Sequence, residues 1–189
     1  RRPPRSTLFP YPTLFRSQAC QLLDFTTDVA IEVSRASVGT GADALLFGEA
    51  TCSPNFISPD MYREFVRPRH ARLIAATKVM GWRFAGFHIC GDIRPIFEDI
   101  VDTGAAFLDI DYQVPAAEAI ALAAGRIAMR GNLDPSGTFL RGTPDEIRGR
   151  TSELRATATG QRWILASGCD ISPGVPEANL RAFAETATR

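Results

Sequence analysis

Along most of its length the chain alternates amphipathic runs with short apolar runs, and a glycine stands at junction after junction. Gly81, Gly104, Gly125 and Gly160 each close an amphipathic run, and an apolar run of strand length follows almost at once: "RFAGFHIC", "AAFLDIDY", "RIAMRGNLD" and "RWILASGC". Glycine adopts the left-handed conformation that ends a helix, so this pattern predicts helix, tight turn and strand in repetition. Strands separated by helices pair in parallel and are covered by those helices. With the earlier "ADALLFGEA" the sequence predicts five strands. The helices expected between and around them are "QLLDFTTDVAIEVSRAS", "SPDMYREFVRPRHARLIAATKVMG", "IRPIFEDIVDTG", "PAAEAIALAAG", "TPDEIRGRTSELRATATG" and "PEANLRAFAETA". Ser58 is placed to cap the second of these, with Pro59 in its first turn.

Two parallel α/β architectures compete, an open doubly wound sheet and a (β/α)8 barrel. Polar or reactive residues follow every expected strand: Glu49 and Cys52, His88 to Asp92, Asp109 and Asp111, Asn132 and Asp134, then Cys169 and Asp170. Chemistry at the C-terminal end of every strand is the habit of a barrel, whose βα loops share one rim, whereas an open sheet concentrates it at a switch point. No Gly-x-Gly-x-x-Gly follows the first strand, so a dinucleotide fold lacks its usual mark. The expectation is the C-terminal part of a (β/α)8 TIM barrel, with about five βα units present and roughly three absent. Such a piece alone is expected to be inactive and poorly soluble, because an unclosed barrel leaves two edge strands.

The first residues, "RRPPRSTLFPYPTLFRS", repeat Thr-Leu-Phe around a Pro-Tyr-Pro centre and follow neither a strand nor a helix period. Residues 1–17 read as an adapter-derived, non-native segment, and residues 18–189 as the domain. A length of 189 residues suffices for one packed core. Lys plus Arg, 21, equals Asp plus Glu, 21, so no basic excess marks the chain for nucleic acid or an anionic membrane surface. No apolar run approaches the roughly 20 residues that span a bilayer. The 4 cysteines, Cys20, Cys52, Cys90 and Cys169, are scattered rather than dense, which favours a reducing, cytoplasmic setting over a disulfide scaffold.

The stretch "FHICGD" sets one of only 2 histidines two positions before a cysteine. Side chains alternate faces along a strand, so His88 and Cys90 share one side. Alone, the pair reads equally as two ligands or as two packed neighbours, since free cysteine is among the most buried residues. Cys169 in "ILASGCDISPGVP" ends the last strand, and Gly168 beside it lets the backbone turn tightly where a ligand must approach. On a barrel rim, distant strand ends converge. His88, Cys90 and Cys169 would then offer one nitrogen and two sulfurs, a set suited to zinc with a fourth position open, as in catalytic sites.

At these residues the chain resembles the uroporphyrinogen decarboxylase superfamily, and within it the zinc-dependent corrinoid methyltransferase branch. The resemblance rests on "GADALLFGEA", "SPDMYREFVRP", "HICGDIRPIFEDIVDTGA", "LDIDYQV", "RGNLDP", "GTPDEIR" and "ILASGCDISPGVPEANLRAF", and runs from about Gln18 to the end. It implies a zinc ion on His88, Cys90 and Cys169, and methyl transfer from a methylcorrinoid, carried by a corrinoid protein, to a small thiol. The zinc would lower the pKa of the thiol so that a thiolate attacks the methyl group. True decarboxylases of the superfamily typically carry Asn-Leu-Gly-His-Gly near the last strand, with histidine where this chain has Cys169. A metal-free decarboxylase of porphyrin biosynthesis is the alternative, and a non-catalytic corrinoid- or thiol-binding domain a second.

Further residues have both a functional and a plain reading. Glu49 and Cys52 are candidates for a fourth ligand or a substrate contact; Glu49 reads equally as a solvated rim carboxylate. Asp92 either orients the imidazole of His88 or caps the helix that begins at Ile93. Asp109 and Asp111 share a face, and Asp111, nearer the rim, ranks first as a pocket residue that could bond Asn132. Asn132 and Asp134 are expected to hold their loop through side-chain to backbone bonds, stiffened by Pro135. His70, among arginines, reads as a surface residue, and Cys20 receives no role.

Overall fold

The computed structural model describes residues 15–188, so the segment 1–14 lies outside it. Helix α1 spans Arg16–Ala36 and is followed by strand β1, Ala44–Gly48. A single helical turn, Pro59–Met61, runs through a wider π-helical stretch, Tyr62–Val66, into α2, Arg67–Val79. Then come β2 (Phe84–Ile89), α3 (Phe97–Val101), β3 (Phe107–Ile110), α4 (Ala116–Ala123) and β4 (Ala128–Leu133). A second π-helical stretch, Pro135–Leu140, precedes α5 (Pro144–Ala158), β5 (Trp163–Ser167) and α6 (Glu177–Ala187). The glycines do what the sequence pattern requires. Gly81, Gly104, Gly125 and Gly160 all have positive φ, between 73° and 90°.

The five strands form one parallel sheet in the order β1-β2-β3-β4-β5. Strand order equals chain order, so the sheet has no switch point, and right-handed crossovers of this kind put every connecting helix on the same face. The arrangement is an arc of a (β/α)8 barrel rather than a doubly wound sheet. Residues facing the helices make the core: Phe87, Ile89, Leu108, Ile110 and Met129 pack with Leu73, Ile74, Phe97, Ile100, Ala119 and Ala123. The other face carries a row in register, Gly48, His88, Asp109, Arg130 and Ile164. A smaller cluster under α5 and α6 centres on Phe139, Ile147 and Ala182, where Asn179 donates from Nδ2 to the carbonyls of Phe139 and Gly142, each at 2.8 Å.

Helix starts follow from local chemistry. Ser58 accepts from the Met61 amide at 3.2 Å, as Ser-Pro predicts. Thr143 and Glu146 form a reciprocal capping box at the start of α5. α1 begins at Arg16, so the boundary expected at Gln18 falls inside a helix. Arg16 pairs with Glu64 at 2.5 Å and lies over the Phe65 ring, which extends the helix back by two residues. Among the described residues, no helix is long and apolar enough to cross a membrane.

The capping box has a pH signature. The backbone amide of Thr143 donates to Glu146 and holds its carboxyl below the ordinary value of 4.5. A depressed carboxylate contributes stability that is present above its unfolded value and lost as pH falls through the folded one. Urea midpoints of the chain and of Glu146→Gln are therefore expected to differ at pH 7 and to converge below pH 4.5. A difference constant across that range rules the capping carboxylate out as the source.

Candidate metal centre

His88 is the penultimate residue of β2, Cys90 follows the strand directly, and Cys169 lies two residues beyond β5. β3 and β4 stand between those strands, so a flat sheet would keep the cysteines apart. Two features bring them together. The curvature of the arc turns the strand ends toward one another, and the loop after β5 folds back across the neighbouring strands. The Gly168 amide donates to the Leu133 carbonyl at 2.7 Å, and a Cβ on Gly168 would stand 2.5 Å from the Tyr112 nitrogen. The close approach at Gly168 is thus made by the backbone just beyond β3, where the sequence suggested a ligand. Ser167 fixes the turn by donating from Oγ to the Cys169 carbonyl at 2.6 Å.

The two sulfurs lie 3.9 Å apart, and Cys90 Sγ lies 3.3 Å from His88 Nε2. All three ligand atoms fall within 4.8 Å of one another. Tetrahedral zinc with Zn–S bonds of about 2.3 Å sets two sulfurs roughly 3.8 Å apart, so the residues fit one ion. The imidazole is oriented from behind. His88 Nδ1 is 3.2 Å from a carboxylate oxygen and also 3.2 Å from the carbonyl of Asp109, which leaves Nε2 facing the cysteines. Asp109 is buried and receives Arg130 Nη1 at 2.5 Å on the same Oδ2, while its Oδ1 has no hydrogen-bond partner among the described residues. A carboxylate behind a ligating histidine fixes tautomer and orientation.

These contacts set the proton affinities. The hydrogen bond to Asp109 pushes the His88 imidazole up to about 9, against burial, which lowers it. Burial, together with the neighbouring Cys169, pushes the Cys90 thiol up to about 11. A cation bound here would take the place of those protons.

Of the other candidates, Asn132 and Asp134 do what the sequence suggests, and Asp92 takes the plainer of its two readings. Asp92 does not reach His88. It accepts from the Arg94 amide and guanidinium, which holds its carboxyl below the ordinary range, and the orienting role considered for it geometrically belongs to Asp109. Asp111, ranked above Asp109, is a fastener: Oδ2 takes the Gly91 amide at 2.8 Å and Oδ1 the Gln113 amide at 3.0 Å, tying the turn after Cys90 to the end of β3. Asn132 donates to the carbonyls of Asp111 and Val114, and Asp134 accepts from the amides of Ser136 and Gly137.

Glu49 and Cys52 do not join the His88 cluster. Gly48 is in register with His88, so Glu49, one residue on, falls on the opposite face. There it meets His70, whose Nε2 lies 3.7 Å from its carboxylate. The surface placement of His70 is corrected: it is 4% exposed and stacks on Phe87 with ring centroids 4.1 Å apart. Arg67 and Arg72 face outward near it, while Arg69 lies against α1 and pairs with Asp24, and this run of basic residues hides an inward position in the sequence. Arg130 was not singled out in the sequence; its signal is a basic residue in the strand row that also holds a buried acid.

A model of the family "Uroporphyrinogen decarboxylase (URO-D)" matches residues 13–189. The chain belongs to this family. The methylcobamide:CoM methyltransferase MtaA of Methanosarcina barkeri is 31% identical over 164 residues, 86% of this chain and 46% of that protein. The uroporphyrinogen decarboxylase of Chlorobaculum parvum is 30% identical over 173 residues, covering 88% and 48%. A solved methyltransferase from Methanosarcina mazei superposes with a TM-score of 0.81 at 28% identity, covering 89% of this chain and 48% of that one. The chain thus spans about half the length of the curated relatives it matches.

With only His70 and His88 to assign, NMR titration can test the Asp109 contact directly. In the metal-free chain the His88 resonance is expected to titrate near 9, and Asp109→Asn should return it toward the ordinary 6.5. An unchanged midpoint in the variant removes Asp109 from that role.

Proposed function

We propose that this domain serves zinc-dependent methyl transfer from a methylated corrinoid to a thiol, with zinc held by His88, Cys90 and Cys169. The observation that carries the proposal is the convergence of two thiols 3.9 Å apart with an imidazole backed by a buried carboxylate. A zinc ion in such a site supplies a Lewis acid that lowers the pKa of a thiol at its open position. The protein's own part is electrostatic and geometric. His88, Cys90 and Cys169 would hold a dication as two thiolates and a neutral imidazole, so the protein's own charges would balance it. Asp109 holds Nδ1 and so keeps Nε2 aimed at the ion, and Arg130 holds Asp109. Asp111, through the Gly91 amide, keeps Cys90 from swinging away.

The methyltransferase relatives support the reaction type, and as methylcobamide:CoM methyltransferases they support a methylated corrinoid and coenzyme M as the kinds of partner and acceptor. All four cysteines are free, in keeping with a reducing cytoplasmic setting. The decarboxylase relatives of similar identity keep a metal-free porphyrinogen decarboxylase as the second reading. Metal analysis separates the two, because a decarboxylase reading gives the thiols of Cys90 and Cys169 no ion to hold.

Zinc content is expected to fall by one equivalent in Cys90→Ser and in Cys169→Ser, because a hydroxyl is a poor substitute for thiolate, and to stay unchanged in Cys20→Ser. Gly168→Ala keeps every ligand but forces the loop after β5 away from Tyr112, so its affinity at this site should drop as well. With cobalt as the probe, a small thiol should intensify the thiolate charge-transfer band only while Cys90 and Cys169 are both present. Equal zinc in all variants, or no thiol response, transfers the reading to decarboxylation.

A further inference from the structure

On the opposite face of β1 and β2, Glu49, Cys52 and His70 bring a carboxylate, a thiol and an imidazole within 4.8 Å of one another. We infer that these three residues form a second divalent-metal site, for an ion of the zinc class, separate from the His88 cluster. It does not depend on the function proposed above.

Burial is the first argument. Cys52 is 5% exposed and His70 4%, positions where polar groups are held by partners. His70 Nδ1 has such a partner, the Tyr62 hydroxyl at 3.1 Å. Its Nε2 lies 3.7 Å from Glu49 Oε2, longer than a hydrogen bond, and His70 borders a cavity of about 680 Å³. A nine-tenths buried imidazole therefore turns one nitrogen toward a space that a carboxylate and a thiol also border. An ion bridging them would occupy the gap, since zinc bonds of about 2.0–2.3 Å set ligand atoms roughly 3.3–3.8 Å apart.

Preorganisation is the second argument. The His70 ring is clamped by stacking on Phe87 at 4.1 Å and by an edge contact with Tyr62 at 5.7 Å. If Nδ1 donates its proton to the Tyr62 oxygen, Nε2 presents its lone pair, which is the usual outer support of a ligating histidine. Tyr62 is fully buried and remains a neutral phenol, because burial drives its pKa upward. In the metal-free chain the Cys52 thiol donates to the Glu49 carbonyl at 3.0 Å, and binding an ion would release that proton to solvent; sulfur and carboxylate are already held on one short turn and the imidazole on one helix.

Ligand chemistry then selects the ion. One nitrogen, one sulfur and one carboxylate oxygen suit zinc or its cobalt substitute, and disfavour magnesium and calcium, which prefer oxygen alone. The fourth position faces the cavity, whose walls include Leu23, Ile57, Met61 and Phe65. An ion there keeps an exchangeable site beside apolar surface.

Cobalt(II) is the probe, added to the full chain carrying Cys90→Ser and Cys169→Ser so that the first cluster contributes no sulfur. One equivalent of cobalt with a thiolate charge-transfer band is expected, and that band should vanish on adding Cys52→Ala. His70→Gln should weaken the remaining binding at least tenfold, with the circular dichroism spectrum unchanged. Should the double serine variant fold but show no such band, or should the band survive Cys52→Ala, the second site is overturned. If the serine variant does not fold, native mass spectrometry of the otherwise unaltered chain decides: Cys52→Ala must lose one bound ion, and equal stoichiometry refutes the site.

Discussion

The parallel register of β2, β3 and β4 is the constraint on which the centre depends. Because His88 pairs with Asp109 and Asp109 with Arg130, an imidazole, a carboxylate and a guanidinium stand in one row on the concave face. Adjacent strands run about 4.8 Å apart, a spacing that side chains of these lengths bridge with single hydrogen bonds. A slip of one residue between β2 and β3 would put Ile110 or Leu108 behind His88 and turn Asp109 into the helix layer. The hydrophobic row Phe87, Leu108 and Met129 on the reverse face enforces the register, since those residues are almost wholly buried only when their charged neighbours face the other way. Core packing and orientation of the imidazole are thus consequences of one pairing.

The third residue of the cluster arrives by a different route. Cys169 does not belong to the row, and its position rests on loop contacts: the Gly168 amide on Leu133, the near contact of Gly168 with Tyr112, and the Ser167 hydroxyl on its own turn. The His88 and Cys90 positions are fixed by the sheet, whereas Cys169 is fixed by a backbone that could tolerate no side chain at its neighbour. Such a division would suit the proposed centre, with two residues held rigidly and the third carried by a loop.

Much of this was legible in the sequence because the decisive signals are local. The glycines at 81, 104, 125 and 160 mark helix ends by backbone conformation alone, and Ser-Pro at 58 and 59 marks a start. The His-x-Cys spacing needs only strand alternation to put both side chains on one face. What escaped was non-local. Asp109 and Asp111 look alike along the chain, and only the register with β2 tells that the first stands behind His88 while the second fastens the Gly91 turn. His70 was hidden by the arginines beside it, because its burial depends on Phe87 across the sheet. The π-helical stretches at Tyr62–Val66 and Pro135–Leu140 carry no composition that separates them from ordinary helix or loop.

Alternation along β2 also explains how one strand serves two clusters. Phe87 turns its ring outward to stack on His70, and the next residue, His88, turns inward to meet Cys90. β1 repeats the arrangement one strand over, with Gly48 in the inward row and Glu49 outward. The amide of Glu49 donates to the carbonyl of His88 at 2.8 Å, so a backbone hydrogen bond joins the two clusters in addition to the Phe87–His88 peptide. A shift of the β1 end that moves Glu49 must therefore pull on the peptide that carries His88. The absence of a side chain at Gly48 leaves the inward row open beside the imidazole, while the residue after it closes the outer cluster. Both clusters owe their separation to the same two-residue period, and their mechanical connection to the same ladder of hydrogen bonds.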